Sequence, residues 1–453
     1  MKKTQKFVSM GEGAVGTALL RLALPAVATM LLHNLFHLVD TVFVSRLGGT
    51  ALAAMSLTFP VIFVMFALLN GMALGCTALI SRFLGENTFS EAQDTARSGS
   101  ILLLLLCFLP LPLLYRPWGE NFFAFIGGAP SVIPLCLDYM LWLLPSLPFM
   151  AITLLGDSAF RCQGNTVIPL YSMVMGNGVN LILDPLFIFT LNMGITGAAL
   201  ATFTGRLCSA LFVLYKLKQE SPLKILPSRG LPNRLLSRWH SIIRIGFPAS
   251  LSQASIALGI ILMNRVLSNY GPNALAAWLL GNRVEGLAFL PVMGIRNALT
   301  PFLGYNLGLC REDRLREALR WSVQASLLIM ISVGIFLYAF PGVILAIFAP
   351  SPEVEQMAIA SIRASVFGYP LAATEITLMA LFEGTGKTLY SMVIQMLRAL
   401  LFRPPLGWFL ATFFGLGAFW WCQPLSSLGS CTISLFLAFA LLRSLSSQKQ
   451  DTI

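Results

Sequence analysis

Residues 24–57 read LPAVATMLLHNLFHLVDTVFVSRLGGTALAAMSL, an apolar run followed by a polar turn and the start of a second apolar run. A run of about 20 such residues is long enough to cross a hydrocarbon core of about 30 Å as an α-helix. Similar runs recur through all 453 residues, of which 57% are hydrophobic and only 11% charged. A soluble domain has about 25% charged residues. The sequence therefore predicts an all-α, polytopic membrane protein, because helices satisfy their own backbone groups in lipid.

Twelve apolar runs account for the chain. They begin near residues 19, 51, 95, 131, 165 and 195, and then near 241, 273, 317, 353, 388 and 415. Lysine and arginine are concentrated in every second connection and near both ends of the chain. Because such charge is retained in the cytoplasm, we expect a multi-pass protein of the cell membrane with both termini cytoplasmic.

The two halves of the chain resemble each other. Pro25 corresponds to Pro248, and the spacing between these two prolines also aligns Gly48–Ala54 with Gly271–Ala277. Six spans return the chain to the side on which it started. We therefore expect two six-helix lobes related by a pseudo-twofold axis along the membrane normal, an arrangement found in transporters.

The longest polar connection lies near the middle of the chain. It is basic, contains several prolines and has little helical periodicity, as expected of a linker. The predicted division is an amino-terminal lobe at 1–215, a cytoplasmic linker at 216–240 and a carboxyl-terminal lobe at 241–453.

The charge and the cysteines exclude several classes of protein. The net charge of +11 does not indicate a nucleic-acid partner, because the basic residues lie in short gaps between apolar runs. The eight cysteines are scattered without a CxxC pair, which argues against disulfides and structural zinc. We expect a monomer without cofactor or metal, whose partners are small-molecule substrates and membrane lipids.

Two acids within apolar runs are the main functional candidates. Asp40 lies in HNLFHLVDTVFV and Asp184 in NLILDPLFIF, and the repeat places no acid opposite either one. Intramembrane charges are costly and usually functional. An acid pair confined to one half is typical of a cation site, since burial favours the neutral form and lets protonation couple to movement. The alternative is that each acid caps a helix break or pairs with a buried base.

Several neighbours could complete this site. Asn180 lies one turn before Asp184 on the same helical face. Tyr139 and Thr202 are polar residues of the fourth and sixth spans that either hydrogen-bond the acids, help to hold a sodium ion, or make ordinary interhelical bonds. Pro25 lies upstream of Asp40 and acts either as a hinge or as a static kink.

Two further sets of polar residues leave alternatives open. His33, His37 and Asp40 lie within about 60° of one helix face, so the histidines are a proton relay, metal ligands or, by default, cavity-lining groups. In the second half, Glu285 and Glu375 form either a second cation or substrate site or internal ion pairs that fix packing. The candidate arginines of this half are Arg283, which lies two residues from Glu285 and points away from it, and Arg296, Arg398 and Arg403 elsewhere.

Four stretches of this sequence resemble the multidrug and toxic compound extrusion (MATE) transporters. The resemblance covers nearly the whole chain and rests on four stretches: 24–57, FRCQGNTVIPLYSMVMGNGVNLILDPLFIF at 160–189, GITGAALAT at 194–202, and NALAAWLLGNRVEGLAFLPVMGIRNALTPFLGYNLG at 273–308. It implies two six-helix lobes around a central cavity. The implied function is secondary active efflux of drugs or metabolites, often organic cations, in exchange for protons or sodium ions by alternating access.

The resemblance also implies roles for individual residues. Asp40 is similar to the family's first-helix acid, and Pro25 to the proline that kinks this helix. The amino-lobe polar cluster of bacterial and archaeal members corresponds here to Asp184, Asn180, Tyr139 and Thr202. One departure is that the seventh span has no carboxylate, whereas some branches carry one there. Coupling is therefore expected in the amino lobe, and the sequence does not choose between H⁺ and Na⁺.

Two other functions compete with efflux. A lipid-linked oligosaccharide flippase or polysaccharide exporter of related fold is the main alternative, and the arginines of the second half support it. An intramembrane enzyme needs a nucleophile–base pair or a metal set, for which His33, His37 and Asp40 are the sole candidates. We therefore expect a transporter and not an enzyme.

Overall fold

The computed structural model describes residues 9–226, 232, 234–348 and 351–450, without the side chains of 37, 38, 40–42, 44, 45 and 446–450. All regular structure in these residues is helical. The first half contains α1 (Val15–Ser45), α2 (Gly49–Gly85), α3 (Phe89–Leu106), α4 (Arg116–Phe125), α5 (Ile133–Leu143), α6 (Leu147–Cys162), α7 (Val167–Pro185) and α8 (Gly194–Glu220).

The second half repeats this order with more breaks. It contains α9 (Leu235–Leu267), α10 (Pro272–Gly308), α11 (Glu312–Ala339), α12 (Pro341–Leu345), α13 (Pro352–Ser365), α14 (Tyr369–Gly384), α15 (Thr388–Met396), α16 (Arg403–Phe414), α17 (Leu416–Phe419) and α18 (Cys422–Gln450). Two π-turns, Leu186–Thr190 after α7 and Leu397–Phe402 between α15 and α16, occupy similar places in the two halves.

The helices are long enough to span a membrane. Within the described chain, ten helical stretches are long and apolar enough to cross one, and the pair α5 and α6, bent by 46°, makes an eleventh. The remaining long stretch, α15 to α16, carries two arginines and completes the twelve spans predicted from the sequence. The chain is therefore an all-α, polytopic membrane protein.

The backbone turns recur with the repeat. Gly48 precedes α2 with a φ of 97°, and Gly271 precedes α10 with a φ of 90°. Side chains disfavour this left-handed region, so glycine is required at both turns. Gly48 and Gly271 are spaced like Pro25 and Pro248, so backbone geometry alone supports the duplication.

The chain forms two compact units. The amino unit contains Ala28–Ser250, and the carboxyl unit contains Met10–Val27 together with the chain from Leu251 on. The start of α1 thus belongs to the carboxyl unit, and the start of α9 to the amino unit. The crossover points, after Val27 and after Ser250, are separated by the repeat spacing. The division into 1–215, 216–240 and 241–453 stays a prediction.

Each unit has its own apolar core. In the amino unit, Leu69, Leu103 and Phe160 are completely buried within one apolar cluster. In the carboxyl unit, Val292 and Met330 occupy the corresponding interior.

Candidate functional site

Asp184 lies at the end of α7, where the regular helix changes into a π-turn. Its side chain is completely buried, at 0% exposure. The amide of Asn180, one turn earlier, donates a hydrogen bond from Nδ2 to Asp184 Oδ1 at 3.2 Å. The next residue, Pro185, has no backbone N–H, and the π-turn begins at Leu186. Such local widening of a helix is frequent at functional sites.

Close packing of α8 against α7 sets the position of Asn180. A Cβ atom at Gly205 of α8 would lie 2.5 Å from the carbonyl oxygen of Gly176 and 3.1 Å from Asn180 Cβ. Ser209 Oγ donates to the carbonyl oxygen of Ser172 at 2.8 Å. Small residues therefore bring the two helices into backbone contact, as is common between membrane helices.

The other predicted neighbours lie on α5 and α8. Tyr139 of α5 is 7% exposed. Thr202 of α8 is half-buried, and its Oγ1 donates to the carbonyl oxygen of Ala198 in the same helix at 3.0 Å. The Thr202 proton is thus used within its own helix, while its oxygen lone pairs can still act as acceptors.

Arg206 is a polar residue of this region that the sequence reasoning missed. It lies one turn after Thr202 on α8 and donates from Nη1 to Ser146 Oγ at 2.7 Å. Tyr139 is close enough to interact with it electrostatically. The signal was present, because Arg206 is the single charged residue of α8 before Lys216.

Asp157 on α6 is a second residue that was missed. Its Oδ1 is buried and has no hydrogen-bond partner among the described residues. Arg161, four residues later, interacts with it electrostatically. The sequence contained a signal for Asp157, because it is an acid in the apolar segment LLGDSAF. The pattern of loop charge includes only Arg161 in this region.

The predicted residues of α1 are only partly described. Pro25 lies inside α1, which continues through it to Ser45, and His33 is half-buried. The side chains of His37 and Asp40 lie outside the described residues, so the Asp40–Asp184 pair and the histidine relay stay predictions. Among the side chains that are described, no group of three or more His, Cys, Asp or Glu is arranged to hold a metal ion.

In the carboxyl unit, Glu285 lies in a polar cluster with an arginine. Its Oε2 lies 3.3 Å from Arg403 Nη2, and its Oε1 accepts from Gln423 Nε2 at 2.7 Å. The Arg403 guanidinium lies over the ring of Trp278, 4.8 Å from its centroid. The acid is therefore neutralised by a base that is itself held by a cation–π contact.

Glu375 is paired in a similar way. It is completely buried, its Oε1 lies 3.4 Å from Arg398 Nε, and its Oε2 accepts a hydrogen bond from Ser430. A further pair in the same unit joins Arg296 to Glu383, which is 3% exposed. This geometry favours the packing alternative for Glu285 and Glu375, and a second cation site at these residues stays a prediction.

Comparison with known proteins agrees with the repeat and the helices. The sequence model of the MatE family matches residues 25–186 and again residues 248–409. The two matches are offset by the same spacing as the internal repeat. Each match begins at the proline of the first span of its half.

Similar proteins are known over most of the chain. A protein named FAD transporter, from Shewanella oneidensis, is 27% identical over 402 residues, which cover 86% of this chain and 87% of that protein. A probable multidrug resistance protein NorM from Thermotoga maritima is 26% identical, over 88% of this chain and 86% of that protein.

The fold has also been solved in similar proteins. A structure described as the outward-facing conformation of a multidrug resistance MATE family transporter of the MOP superfamily superposes with a TM-score of 0.92 at 26% identity. The superposition covers 98% of this chain and 100% of that chain. Since the family's sequence pattern matches both halves of the repeat and the fold matches over nearly all residues, this chain belongs to the MatE family of transporters, which are not enzymes.

Proposed function

We propose that this protein is a secondary active antiporter that exports small amphipathic or cationic molecules from the cell in exchange for protons or sodium ions. The coupling ion binds in the amino unit at Asp184, with Asn180, Tyr139 and Thr202 as neighbours and Asp40 as the second acid. The observation that carries this proposal is the complete burial of Asp184 inside a membrane helix, with Asn180 as a hydrogen-bond donor.

The physical basis is the cost of a buried charge. An ionised carboxylate inside the membrane is unfavourable unless a cation or a donor compensates it. Binding of a proton or a sodium ion removes this cost and stabilises the state in which the site is closed. Reversing a conformational population from 1:99 to 99:1 requires about 5.5 kcal/mol of differential binding, which neutralisation of a buried acid can supply.

The names of the relatives support small organic molecules as substrates. One is named FAD transporter, and another is named a probable multidrug resistance protein. For this protein we propose export across the cell membrane by alternating access, as a monomer with both termini in the cytoplasm. The Pro25 hinge in α1 changes shape as the site is filled.

The test is efflux from proteoliposomes. Purified protein is reconstituted with a cationic dye, and sodium and proton gradients are imposed separately. The wild type is expected to export dye under one of them, and Asp184→Asn is expected to abolish gradient-driven export. Asp138→Asn is the matched control, because Asp138 is an exposed acid of the same unit. It is expected to transport like the wild type.

The outcomes separate the ion site from the fold. If Asp184→Asn retains full gradient-driven export, Asp184 is not the coupling residue. If neither gradient drives export by the wild type, antiport itself is wrong. Thermal unfolding of both variants in detergent, matched to the wild type, verifies that any loss arises from the site.

The flippase alternative rested on the arginines of the second half. Arg296, Arg398 and Arg403 each pair with a glutamate of the same unit. Their charge is therefore compensated locally, which weakens the case for a strongly cationic cavity. Binding of a lipid-linked precursor, with no effect of cationic dyes, would favour the flippase again.

A further inference from the structure

A groove rich in aromatic residues lies at one end of the carboxyl unit. It has a volume of about 220 Å³. Its lining includes Tyr338, Arg363, Phe367, Trp420 and Trp421. None of these residues belongs to the candidate cation site or to the ion pairs of the carboxyl unit, so the groove calls for a separate explanation.

Arg363 is the charged group of the groove, and its orientation is fixed. Its Nε donates to the carbonyl oxygen of Tyr338 at 3.3 Å. Its guanidinium carbon lies 5.7 Å from the centroid of the Tyr338 ring. In the described part of the protein, Nη1 and Nη2 of this exposed residue have neither a hydrogen bond nor an ion pair. The N–H groups of Nη1 and Nη2 are therefore available to an acceptor outside the protein.

The aromatic rings form an exposed apolar wall beside this arginine. Phe367 and Trp421 stack with centroids 5.5 Å apart, and Tyr338 meets Phe367 edge-on at 5.9 Å. Phe367 is 55% exposed and Trp421 is 45% exposed. Rings that are packed together and left uncovered offer a fixed surface for an apolar chain.

The groove lies at the level of a membrane interface. Tyr338 is the penultimate residue of α11, and Trp421 immediately precedes α18. Both helices are membrane spans, so their ends lie near the lipid headgroups. Tyrosine and tryptophan are enriched at that depth, where the apolar chain and the polar head of a lipid meet.

We propose that this groove is a phospholipid-binding site. The phosphate of the headgroup accepts hydrogen bonds from Nη1 and Nη2 of Arg363, a geometry that the planar guanidinium favours. One acyl chain lies along Phe367 and Trp421. The charge and the free donors of Arg363 thus match the headgroup of a phospholipid, and the apolar wall matches its acyl chain.

The experiment uses the full-length protein, purified in detergent and freed of lipid. Binding of dioleoylphosphatidylglycerol is measured by native mass spectrometry for the wild type, Arg363→Ala and Arg265→Ala. Arg265 is the matched control, since it is an exposed arginine in the last turn of α9 and lies outside the groove. We expect about tenfold weaker binding for Arg363→Ala and no change for Arg265→Ala, because hydrogen bonds to a charged phosphate are lost only in the first.

Two further ligands identify the source of the phosphate. Dioleoylglycerol, which has the same chains without phosphate, is expected to bind the wild type as weakly as the phospholipid binds Arg363→Ala. Inorganic phosphate is expected not to displace the phospholipid. Displacement by inorganic phosphate alone would mean a free-anion site and would overturn the proposal.

A second variant guards against a defect of folding. Arg363→Lys keeps the charge and loses the paired donors, so its affinity is expected to fall between those of the wild type and Arg363→Ala. Equal phospholipid affinity in the wild type and both Arg363 variants, with unchanged unfolding temperatures, would reject the site.

Discussion

The amide of Asn180 holds Asp184 along α7, and this contact can be tested by itself. Asn180→Ala removes the donor to Asp184 Oδ1. A hydrogen bond to a charged group is worth about 1.5–3 kcal/mol. We therefore expect the ion concentration at half-maximal efflux to shift by about tenfold or more, measured in proteoliposomes over a series of ion concentrations.

Asn177→Ala is the control for this prediction. Asn177 lies on the same helix, three residues before Asn180, and is likewise half-buried. Among the described side chains, its amide makes no hydrogen bond to Asp184. An equal shift in both variants would show that the effect arises from α7 as a whole and not from the contact with Asp184.

Glu375 tests whether the carboxyl unit uses its acids for packing. Glu375→Gln leaves the half-buried Arg398 without its acid, and breaking a buried pair costs about 3–5 kcal/mol. We expect the unfolding temperature in detergent to fall by several degrees. The double variant Glu375→Gln with Arg398→Gln is expected to recover part of this loss, because no charge is then left unpaired.

A second ion site at Glu375 predicts the opposite pattern. The unfolding temperature of Glu375→Gln would then stay close to that of the wild type, while the ion dependence of efflux would change. Stability and transport measured on the same preparation distinguish the two roles.

For single residues, the sequence predicted those contacts that join neighbours on one helix. A spacing of four residues predicts that Asn180 and Asp184 share a helix face, and the two are hydrogen-bonded. The sequence did not predict the contact of Arg206 with Ser146, because these two positions are 60 apart in the chain. The pairing of Glu375 with Arg398 also depends on tertiary packing, which no local period encodes.

Among the elements, α1 contains the residue expected to bend. Pro25 lacks a backbone donor, and an interior proline costs a helix about 3 kcal/mol. Pro25→Ala restores the bond, so the unfolding temperature is expected to stay equal or to rise. If the kink is a hinge, efflux falls roughly tenfold, which corresponds to about 1.4 kcal/mol in the barrier.

Pro60→Ala is the control, since Pro60 is an exposed proline inside α2. We expect this variant to transport like the wild type. Unchanged efflux in Pro25→Ala would mean that the proline imposes only a static kink.

The sequence predicted the starts of the spans well, but it did not predict the places where a span is interrupted. The predicted starts near 51, 273 and 388 lie within two residues of α2, α10 and α15. The short helix α4 was not predicted, because ten residues with arginine, proline and glutamate look like a loop. The bend between α5 and α6 was also missed, although Pro145 and Pro148 in LLPSLP mark a helix break at this position.

For the whole molecule, the duplication is the feature that the sequence predicted best. The spacing that relates Pro25 to Pro248 recurs in the two family matches and in the crossover points between the compact units. The polar residues do not follow this duplication. The amino unit keeps Asp184 and Arg206, while the carboxyl unit holds acids already paired with arginines. A shared backbone has therefore acquired different interiors in its two halves.

The orientation of the molecule rests on loop charge, and Cys310 provides a direct test of it. Cys310 is the one exposed cysteine among the eight, and it lies in the connection between α10 and α11. Four arginines at 311, 314, 316 and 320 follow it, so the positive-inside rule places this connection in the cytoplasm. We expect a membrane-impermeant maleimide to label Cys310 in permeabilised cells and to leave it unlabelled in intact cells.

Two variants make the result decisive. Cys310→Ser is expected to lose the signal, because six of the other cysteines are buried and Cys208 is only half-exposed. Ser131→Cys in that background places a thiol in the exposed α4–α5 connection. This connection is one membrane crossing away from the α2–α3 connection, which is the counterpart of the Cys310 connection in the first half. It is expected to react in intact cells, since that connection faces the opposite side. Labelling of Cys310 in intact cells would show that this connection faces the outside and that the predicted topology is inverted.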